Sequence, residues 1–377
     1  MAGSPSCAGR NDHCFPEVIT TMTRLLVLPA AVLFCSGATM VYAADSGEKD
    51  IAAGGLMDVY YGINFNHPVS RVSQLRNFDV AAGQFSLNML KLSLERSARP
   101  AGFRIDLGFG KAFDIIHGSE LSPSAVRNIE QAYVSLKPRG AGGLQLDFGK
   151  FVTSAGAEVI ETHANWNYSR SILFAWAIPY YHAGLRATAP IGRFTLGTQL
   201  TNGWNNVEDN NPGKTLGLTA SYSVGPLNWS HTYYAGPEKS GENRGRRHLY
   251  DTTLLAGSRR ASFYLNFDYG LERGAAAGDA AWYGVAGAAR LALNERIALA
   301  PRLEWFRDRD GFSTGTPQTL KEFTLTGEYK FAEGYLARLE YRRDWSNKAF
   351  FDRGADPACA KSQSTLLAGF VVVFSAR

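Results

Sequence analysis

The sequence predicts an all-β fold in which about sixteen antiparallel strands close into an up-and-down barrel. Apolar and polar side chains alternate along most of the chain after residue 56, and the connections between these runs are short and long by turns. Most runs also carry charged residues on their polar face. Because successive side chains of a strand point to opposite faces, each run presents one apolar and one polar surface.

The composition excludes several other classes of protein. The chain has 377 residues, of which 39 are basic and 34 acidic, and its formal net charge is +5. Apolar residues make up 45% and charged residues 19%, which is typical of a folded protein rather than a disordered one. This charge is too small for a dedicated nucleic-acid-binding protein, so no nucleic-acid partner is expected. The mean hydropathy of −0.17 excludes a bundle of transmembrane helices.

The N-terminal part of the chain is predicted to be a targeting segment. The stretch 25–44 is apolar and long enough to cross a bilayer, and Arg24 precedes it as a short positive region. Val41 and Ala43 are small residues at the −3 and −1 positions of a signal-peptide cleavage site. An uncleaved anchor is the alternative. The predicted organisation is an upstream extension at 1–21, a signal peptide at 22–43, an N-terminal segment at 44–55 and a barrel at 56–377.

Each predicted strand follows a period of two. Phe263, Leu265 and Phe267 share one face of their run, for example, and Asn266 lies on the other. The pattern changes phase near Met89, which predicts a β-bulge there. The predicted strands are 56–65, 83–96, 102–110, 128–138, 143–151, 182–189, 193–204, 214–224, 226–235, 247–256, 260–272, 280–293, 295–306, 320–332, 334–345 and 364–374.

The long connections all fall at one end of the predicted barrel. Tight periplasmic turns and long external loops are typical of barrels of the bacterial outer membrane. Sixteen strands enclose a lumen too wide for side chains to fill, so we expect charged faces to line water and apolar faces to contact outer-membrane lipid. The expected lumen-wall residues are Arg104, Asp106, Arg186, Asp268, Arg290, Glu304 and Glu340.

Aromatic residues mark the ends of several predicted strands. Trp204, Trp305 and Trp345 fall at external strand ends on the apolar parity, where an aromatic girdle is expected because indole favours the headgroup boundary. The last run, 364–374, ends on Phe374 and resembles the C-terminal strand recognised by the outer-membrane assembly machinery. Three further residues follow Phe374, which departs from the usual form of that signal.

Several long stretches resemble one family. They include DVYYGINFNHPV at 58–69, LQLDFGKFVTSAGAEVIE at 144–161 and ANWNYSRSILFAWAIPYYHAGLRA at 164–187. These stretches resemble the OmpL-like beta-barrel porin-2 family, with the similarity densest over 56–190. The resemblance implies a channel in the bacterial outer membrane, and it transfers no catalytic residue.

The connection 152–181 is predicted to fold into the lumen and narrow it. It carries many aromatic side chains, which are unfavourable in open water, and the same connection often enters the lumen of sixteen-stranded porins. Packing on the external rim or against a neighbouring subunit is the alternative. The expected constriction pairs two acidic side chains of the loop with three basic side chains of the wall across a transverse field. These residues are Glu158, Glu161, Arg302, Arg338 and Arg342.

The expected function is passive diffusion of small hydrophilic solutes or ions through a water-filled channel. Because acidic residues are interspersed among the wall arginines, only a weak anion preference is predicted. A non-conducting structural or adhesive barrel is the first alternative. A homotrimer is expected by analogy, with the first strand either at its interface or in contact with lipid.

Enzymatic chemistry has little support in the sequence. An outer-membrane lipid hydrolase would need a nucleophile beside a histidine, but Ser230 and His231 are adjacent in one strand and point to opposite faces. Only Cys359 follows the predicted cleavage site, and the histidines are scattered. We therefore expect no enzyme, no metal site and no cofactor.

Overall fold

The computed structural model describes residues 51–120, 124–275 and 278–375. Sixteen strands form one closed antiparallel barrel in which neighbours in sequence are neighbours in space. The chain therefore closes as predicted. The strands of the barrel are β1 (Ala52–Asn64), β2 (Phe85–Arg96), β3 (Ala101–Phe109), β4 (Ile129–Leu136), β5 (Gln145–Val152), β6 (Tyr181–Ile191), β7 (Phe194–Thr201), β8 (Thr215–Val224), β9 (Leu227–Gly236), β10 (Arg247–Gly257), β11 (Ala261–Ala275), β12 (Gly278–Ala292), β13 (Ile297–Asp308), β14 (Gln318–Ala332), β15 (Tyr335–Ser346) and β18 (Ser362–Ser375).

The remaining elements are short and lie in connections. Strands β16 (Phe351–Arg353) and β17 (Asp356–Ala360) form a hairpin between β15 and β18. Two α-helices, α1 (Lys111–Ile116) and α2 (Ile172–Trp176), and two 3₁₀ helices, Ser124–Asn128 and Thr162–Ala164, complete the described elements. No helix among the described residues is long and apolar enough to span a bilayer.

The barrel closes between its first and last strands. Strand β1 pairs with β18 from Gly54 opposite Ser375 to Asn64 opposite Thr365, and its other edge pairs with β2. Each barrel strand therefore has two hydrogen-bonded neighbours, as hydrocarbon demands, since lipid offers no partner for an unpaired backbone group. Strand β1 begins at Ala52, before the predicted start at 56, and the predicted extension and signal peptide lie outside the described residues.

The two faces of the wall have the expected polarity. In β13, Ala300, Arg302 and Glu304 are buried toward the interior, whereas Leu303 on the opposite face is 63% exposed. The apolar face thus points outward, the reverse of a water-soluble barrel. The bilayer is the medium that removes this surface from water.

The predicted β-bulge is present at the expected place. The β1–β2 register steps from Asp58 opposite Met89 to Val59 opposite Leu87, so Asn88 is the extra residue. The bulge brings both Asn88 and Met89 into buried positions and changes the parity of the strand.

Connection lengths differ between the two ends of the barrel. One end, here termed the periplasmic rim, carries tight turns such as 192–193 and 225–226, where Gly192 and Gly225 adopt φ values of 62° and 55°. A residue with a Cβ is strained at such φ values. The other end carries long loops, including 65–84 and 153–180. The predicted loop at 273–279 is instead largely strand, because β11 and β12 extend to Ala275 and from Gly278.

The loop-filled lumen as the candidate channel

The connection between β5 and β6, residues 153–180, lies inside the barrel and is termed the plug loop. Its side chains Tyr168, Ile172, Leu173 and Phe174 are buried. The Tyr168 ring occupies the space where a Cβ on the wall residue Gly369 would lie. The wall and the loop are therefore complementary in shape, and the narrowing of a channel by this loop stays a prediction.

The first external loop, residues 65–84, covers the plug loop. The Phe78 ring lies 5.9 Å from the Phe174 ring, and the guanidinium of Arg170 stacks over it at 4.4 Å. The side-chain amide of Asn77 donates to the Ala175 carbonyl at 2.9 Å. The first external loop and the plug loop thus pack together as one unit near the external end of the lumen.

Arg302 of β13 joins the plug loop to the wall. Its Nη1 donates to the Glu158 carboxylate at 2.6 Å and to the Ser169 carbonyl at 2.8 Å. Its Nε donates to Glu322 on β14 at 3.1 Å. One buried guanidinium therefore bonds two strands of the wall and two points of the loop.

Arg338 and Arg342 of β15 bind loop carbonyl groups. Arg338 donates to the Thr162 and Asn165 carbonyls at 2.6 and 2.5 Å. Arg342 donates to the Arg170 carbonyl at 2.5 Å and to Asp344 at 2.8 Å. Each guanidinium donates to backbone carbonyl groups of the plug loop. These hydrogen bonds stabilise an irregular loop that lies away from water.

Wall carboxylates bind the loop N–H groups in the complementary way. Glu304 of β13 accepts from the N–H of Ile172 at 2.5 Å, where α2 begins. Glu340 of β15 accepts from the N–H groups of Tyr168 and Ser169 at 2.6 and 3.0 Å. Hydrogen bonds to ionised groups are among the stronger ones in proteins, so the loop is firmly attached on this side.

Glu161 enters a separate buried cluster with Lys91. The Lys91 ammonium lies 2.7 Å from Glu130 and 3.1 Å from Asp106, and it also pairs with Glu161. Oxygens of the three acids lie within 4.8 Å of one another, a spacing that could hold a metal ion. Lys91 already supplies a cation among them, so the cluster has an internal counter-ion.

The five predicted constriction residues are thus brought to the interface between the plug loop and the wall. Glu158 and Glu161 are 6% and 4% exposed, and the three arginines are 3% exposed or less. Glu158 pairs with Arg302, Glu161 pairs with Lys91, and the other two arginines bind loop carbonyl groups. This differs from the expected arrangement, in which opposed charges face each other across water, because buried charges need close partners. The three arginines are Arg302, Arg338 and Arg342.

The predicted lumen-wall residues all point inward, and most are paired. Arg104 donates to Asp106 at 2.8 Å, and Arg186 donates to Asp147 at 2.8 Å. Arg290 pairs with Glu328 at 2.7 Å near the periplasmic rim. Asp268 is buried beside Asn266, whose amide donates to Asp251. Glu304 and Glu340 bind the plug loop, as described above.

Two of the predicted girdle tryptophans share one height. Trp305 on β13 and Trp345 on β15 both lie opposite Lys321 of the strand between them, and both are on the outward face. Trp204 differs from its prediction. Strand β7 ends at Thr201, and the Trp204 indole lies beyond it, 6.4 Å from the buried ring of Trp282.

The Trp204 side chain packs on the inner side of the external rim. Its backbone N–H donates to Glu238 at 2.8 Å, and the Arg247 guanidinium lies 5.0 Å from its ring. Glu238 lies in the loop after β9, and burial raises the pKa of this carboxyl. The alternation of side chains along a strand could not predict this packing of Trp204. Strand β7 ends before Trp204, so the alternation no longer assigns its side chain to a face.

A cavity remains in the half of the lumen opposite Arg302, Arg338 and Arg342, here termed the arginine anchors. It has a volume of about 460 Å³ and extends from the periplasmic rim along the inner face of β3 to β9. At its inner end Ser154 of the plug loop accepts from the Gln199 amide at 2.8 Å, and its carbonyl accepts from Thr232 at 3.0 Å. Its N–H donates to the Tyr234 hydroxyl at 3.2 Å. We term these four residues the polar bridge.

Several important residues were absent from the sequence-based candidates. After the bulge, Lys91 lies on the polar face of β2 and alternates with leucines. This pattern could have identified Lys91 from the sequence. Asp58 accepts hydrogen bonds from the Tyr168 and Thr162 hydroxyls, and Asp58 is the single charge on the inner face of β1. Gln199 and Ser154 have no such signal, because neutral polar residues are common on any inward face.

Comparison with known proteins agrees with this architecture. The family model described as "Putative beta-barrel porin-2, OmpL-like" matches residues 50–374. This chain belongs to that porin family. The match covers every barrel strand except the last residue of β18, so the resemblance seen in the N-terminal half extends to the whole wall.

Solved porin structures share the fold of this porin family member. Outer-membrane expressed OmpT of Vibrio cholerae is 11% identical with a TM-score of 0.57, covering 88% of this chain and 99% of that one. An anion-selective porin from Comamonas acidovorans is 12% identical with a TM-score of 0.57, covering 86% and 99%. The channel DcaP of Acinetobacter baumannii is 10% identical with a TM-score of 0.56, covering 89% and 100%. At these identities the likeness shows the fold alone. None of the curated proteins compared with this sequence matches it.

Proposed function

We propose that this porin forms a channel in the bacterial outer membrane for passive diffusion of small hydrophilic solutes, with a weak preference for anions. The observation that carries the proposal is the cavity beside the plug loop, which opens at the periplasmic rim and has a polar wall. Family and fold favour a channel over an enzyme, and Ser230 and His231 lie on opposite faces of β9. His231 bonds to Tyr250 on the outer face.

The plug loop is the proposed constriction. It fills the half of the lumen near β13 to β15 and leaves the path along β3 to β9. We place the constriction of this path at the polar bridge, where Ser154 bonds to the wall at the inner end of the cavity. In this proposal the arginine anchors fix the loop, and the electric field that acts on a solute comes from the charges that line the cavity.

The anion preference follows from the charges that line the cavity. Two acidic residues, Glu95 and Asp147, lie among five basic ones. A wall of one predominant sign raises the local concentration of counter-ions, and the effect weakens with salt. The basic residues are Arg96, Arg99, Arg104, Lys137 and Arg186.

Planar-bilayer recording of the refolded mature chain tests the proposal. We expect discrete ohmic steps in potassium chloride and a reversal potential of the sign for weak anion selectivity in a salt gradient. Clear cation selectivity would contradict the charge argument. A folded barrel without steps would favour the alternative of a non-conducting barrel, for which the polar bridge across the lumen is the supporting observation.

The assembly and export of the protein are part of the same proposal. A trimer form of OmpT of Vibrio cholerae shares this fold, which supports a homotrimer with the outward side chains of β1 at its interface or in lipid. We propose that residues 22–43 are removed as a signal peptide and that β18 engages the assembly machinery. Mass spectrometry of the exported protein tests both the mature start near Ala44 and the subunit number. These outward side chains are Val59, Tyr61 and Ile63 of β1, followed by the exposed Phe65 directly after the strand.

A further inference from the structure

The mouth of the cavity carries two cations without a side-chain partner among the described residues. Arg99 and Lys137 lie on adjacent periplasmic turns, joined by the backbone bond from the Lys137 N–H to the Pro100 carbonyl at 2.6 Å. Both side chains are exposed and both line the cavity. Two neighbouring flexible cations at one opening can bind one carboxylate or phosphate group together.

The deeper basic residues do not offer the same freedom. Arg186 is held by Asp147 at 2.8 Å, and its guanidinium stacks 4.6 Å from the Phe151 ring. Arg104 is held by Asp106 at 2.8 Å. An anion entering the cavity at its mouth therefore meets the exposed pair Arg99 and Lys137 first, and the arginines behind them are already paired with carboxylates.

The far wall of the cavity has a different chemistry. Strands β7, β8 and β9 line it with neutral hydroxyl side chains, those of Thr195, Thr219, Ser221 and Thr232. Tyr133 lines the opposite side with an aromatic ring. Hydroxyl groups both donate and accept, so they suit a solute that carries many hydroxyls of its own. The volume of about 460 Å³ is in the range of small-molecule sites.

We propose that this cavity is a binding site for a small polyhydroxylated anion, a sugar acid or sugar phosphate. Arg99 and Lys137 bind its charged group, and the threonine and serine side chains of β7 to β9 bind its hydroxyls. This inference rests on the proposed function for the route by which the solute passes, but binding itself does not require conduction.

Calorimetric titration of the refolded barrel in detergent measures binding directly. The probes are D-glucuronate and glucose 6-phosphate, with D-glucose as the neutral sugar and acetate as the anion without hydroxyls. We expect the two sugar anions to bind at least tenfold more tightly than glucose or acetate, and affinity to fall as salt is raised. If glucuronate and glucose 6-phosphate bind no better than the controls, the inference is overturned. Their relative affinities distinguish a carboxylate site from a phosphate site, and either result supports it.

Paired variants locate the site. Arg99→Ala with Lys137→Ala is expected to weaken binding of the sugar anions at least tenfold. The matched control is Arg259→Ala with Arg260→Ala, which removes two exposed cations from the periplasmic turn after β10, away from the cavity. Equal affinity of the first pair and the unaltered barrel would overturn the inference. Altered gel mobility on heating confirms that each variant is folded.

A second pair tests the hydroxyl wall. Thr195→Val with Thr219→Val keeps side-chain volume and removes two hydroxyls, and we expect weaker binding of glucuronate with unchanged binding of acetate. Thr198→Val, on the outer face of β7, is the control. A barrel that conducts but does not bind the sugar anions overturns this inference alone. One that binds them without conducting overturns the proposed function alone.

Discussion

The two halves of the lumen use polar side chains for different purposes. Strands β13 and β15 carry buried charges, and every one of the five that were predicted for these strands bonds to the plug loop. Strands β7 to β9 carry hydroxyls and amides, which border a cavity and bond to the plug loop at Thr153 and Ser154. A buried charge must find a partner, whereas a hydroxyl can remain hydrated. The charged side chains of β13 and β15 therefore hold the loop, and the hydroxyl-bearing strands β7 to β9 border the cavity.

Removing one anchor should produce the largest effect on this comparison. Arg302→Ala leaves Glu158 without its buried cation and Glu322 with only Arg342 at 3.8 Å, and we expect a loss of about 3–5 kcal/mol in the free energy of unfolding. The loosened loop should also give larger and noisier single-channel currents. Urea unfolding in detergent, followed by gel mobility, measures the first effect, and bilayer recording measures the second.

Arg290→Ala is the matched control for the anchor. Arg290 pairs with Glu328 at 2.7 Å, but its side chain is 36% exposed, so its removal should cost about 1 kcal/mol or less. Equal destabilisation by the two substitutions would contradict the division of the lumen into an anchoring half and an open half.

Opening the polar bridge should have a moderate effect on stability and a clear one on conductance. Gln199→Ala removes the amide that donates to Ser154 at 2.8 Å, a loss of about 1 kcal/mol. The space beside the loop becomes wider, and the unitary conductance should rise. Thr198→Ala on the outer face of the same strand is expected to leave conductance unchanged. No rise with Gln199→Ala would place the path elsewhere in the lumen.

The smallest expected effect is on the tryptophan fluorescence that lipids quench, at Trp204, Trp305 and Trp345. Trp305→Phe and Trp345→Phe should each remove fluorescence that brominated lipids quench, because both indoles lie on the outward face. Trp204→Phe should leave the lipid-quenched fraction unchanged, because that indole packs against Trp282 inside the rim. Quenching in proteoliposomes measures all three. Strong lipid quenching at Trp204 would restore it to the girdle.

Much of the wall could be predicted because strand periodicity is local. Alternation around Phe263 and Leu265, and the phase change at Met89, depend only on neighbouring residues, and both the strands and the bulge were confirmed. The ends of elements were less accessible. Strands β11 and β12 extend into a predicted loop, and β7 stops before Trp204, because pairing with the adjacent strand decides where a ladder ends.

The sequence by itself determined a closed barrel with its charged face inward and a long aromatic connection suited to burial. Only the tertiary structure decided what those charges do. Arg338 could equally have lined water, and it instead binds the carbonyls of Thr162 and Asn165, more than 170 residues away. Periodicity assigns a side chain to a face but not to a partner. The partner depends on where a distant loop lies, and that is set by packing of the whole lumen.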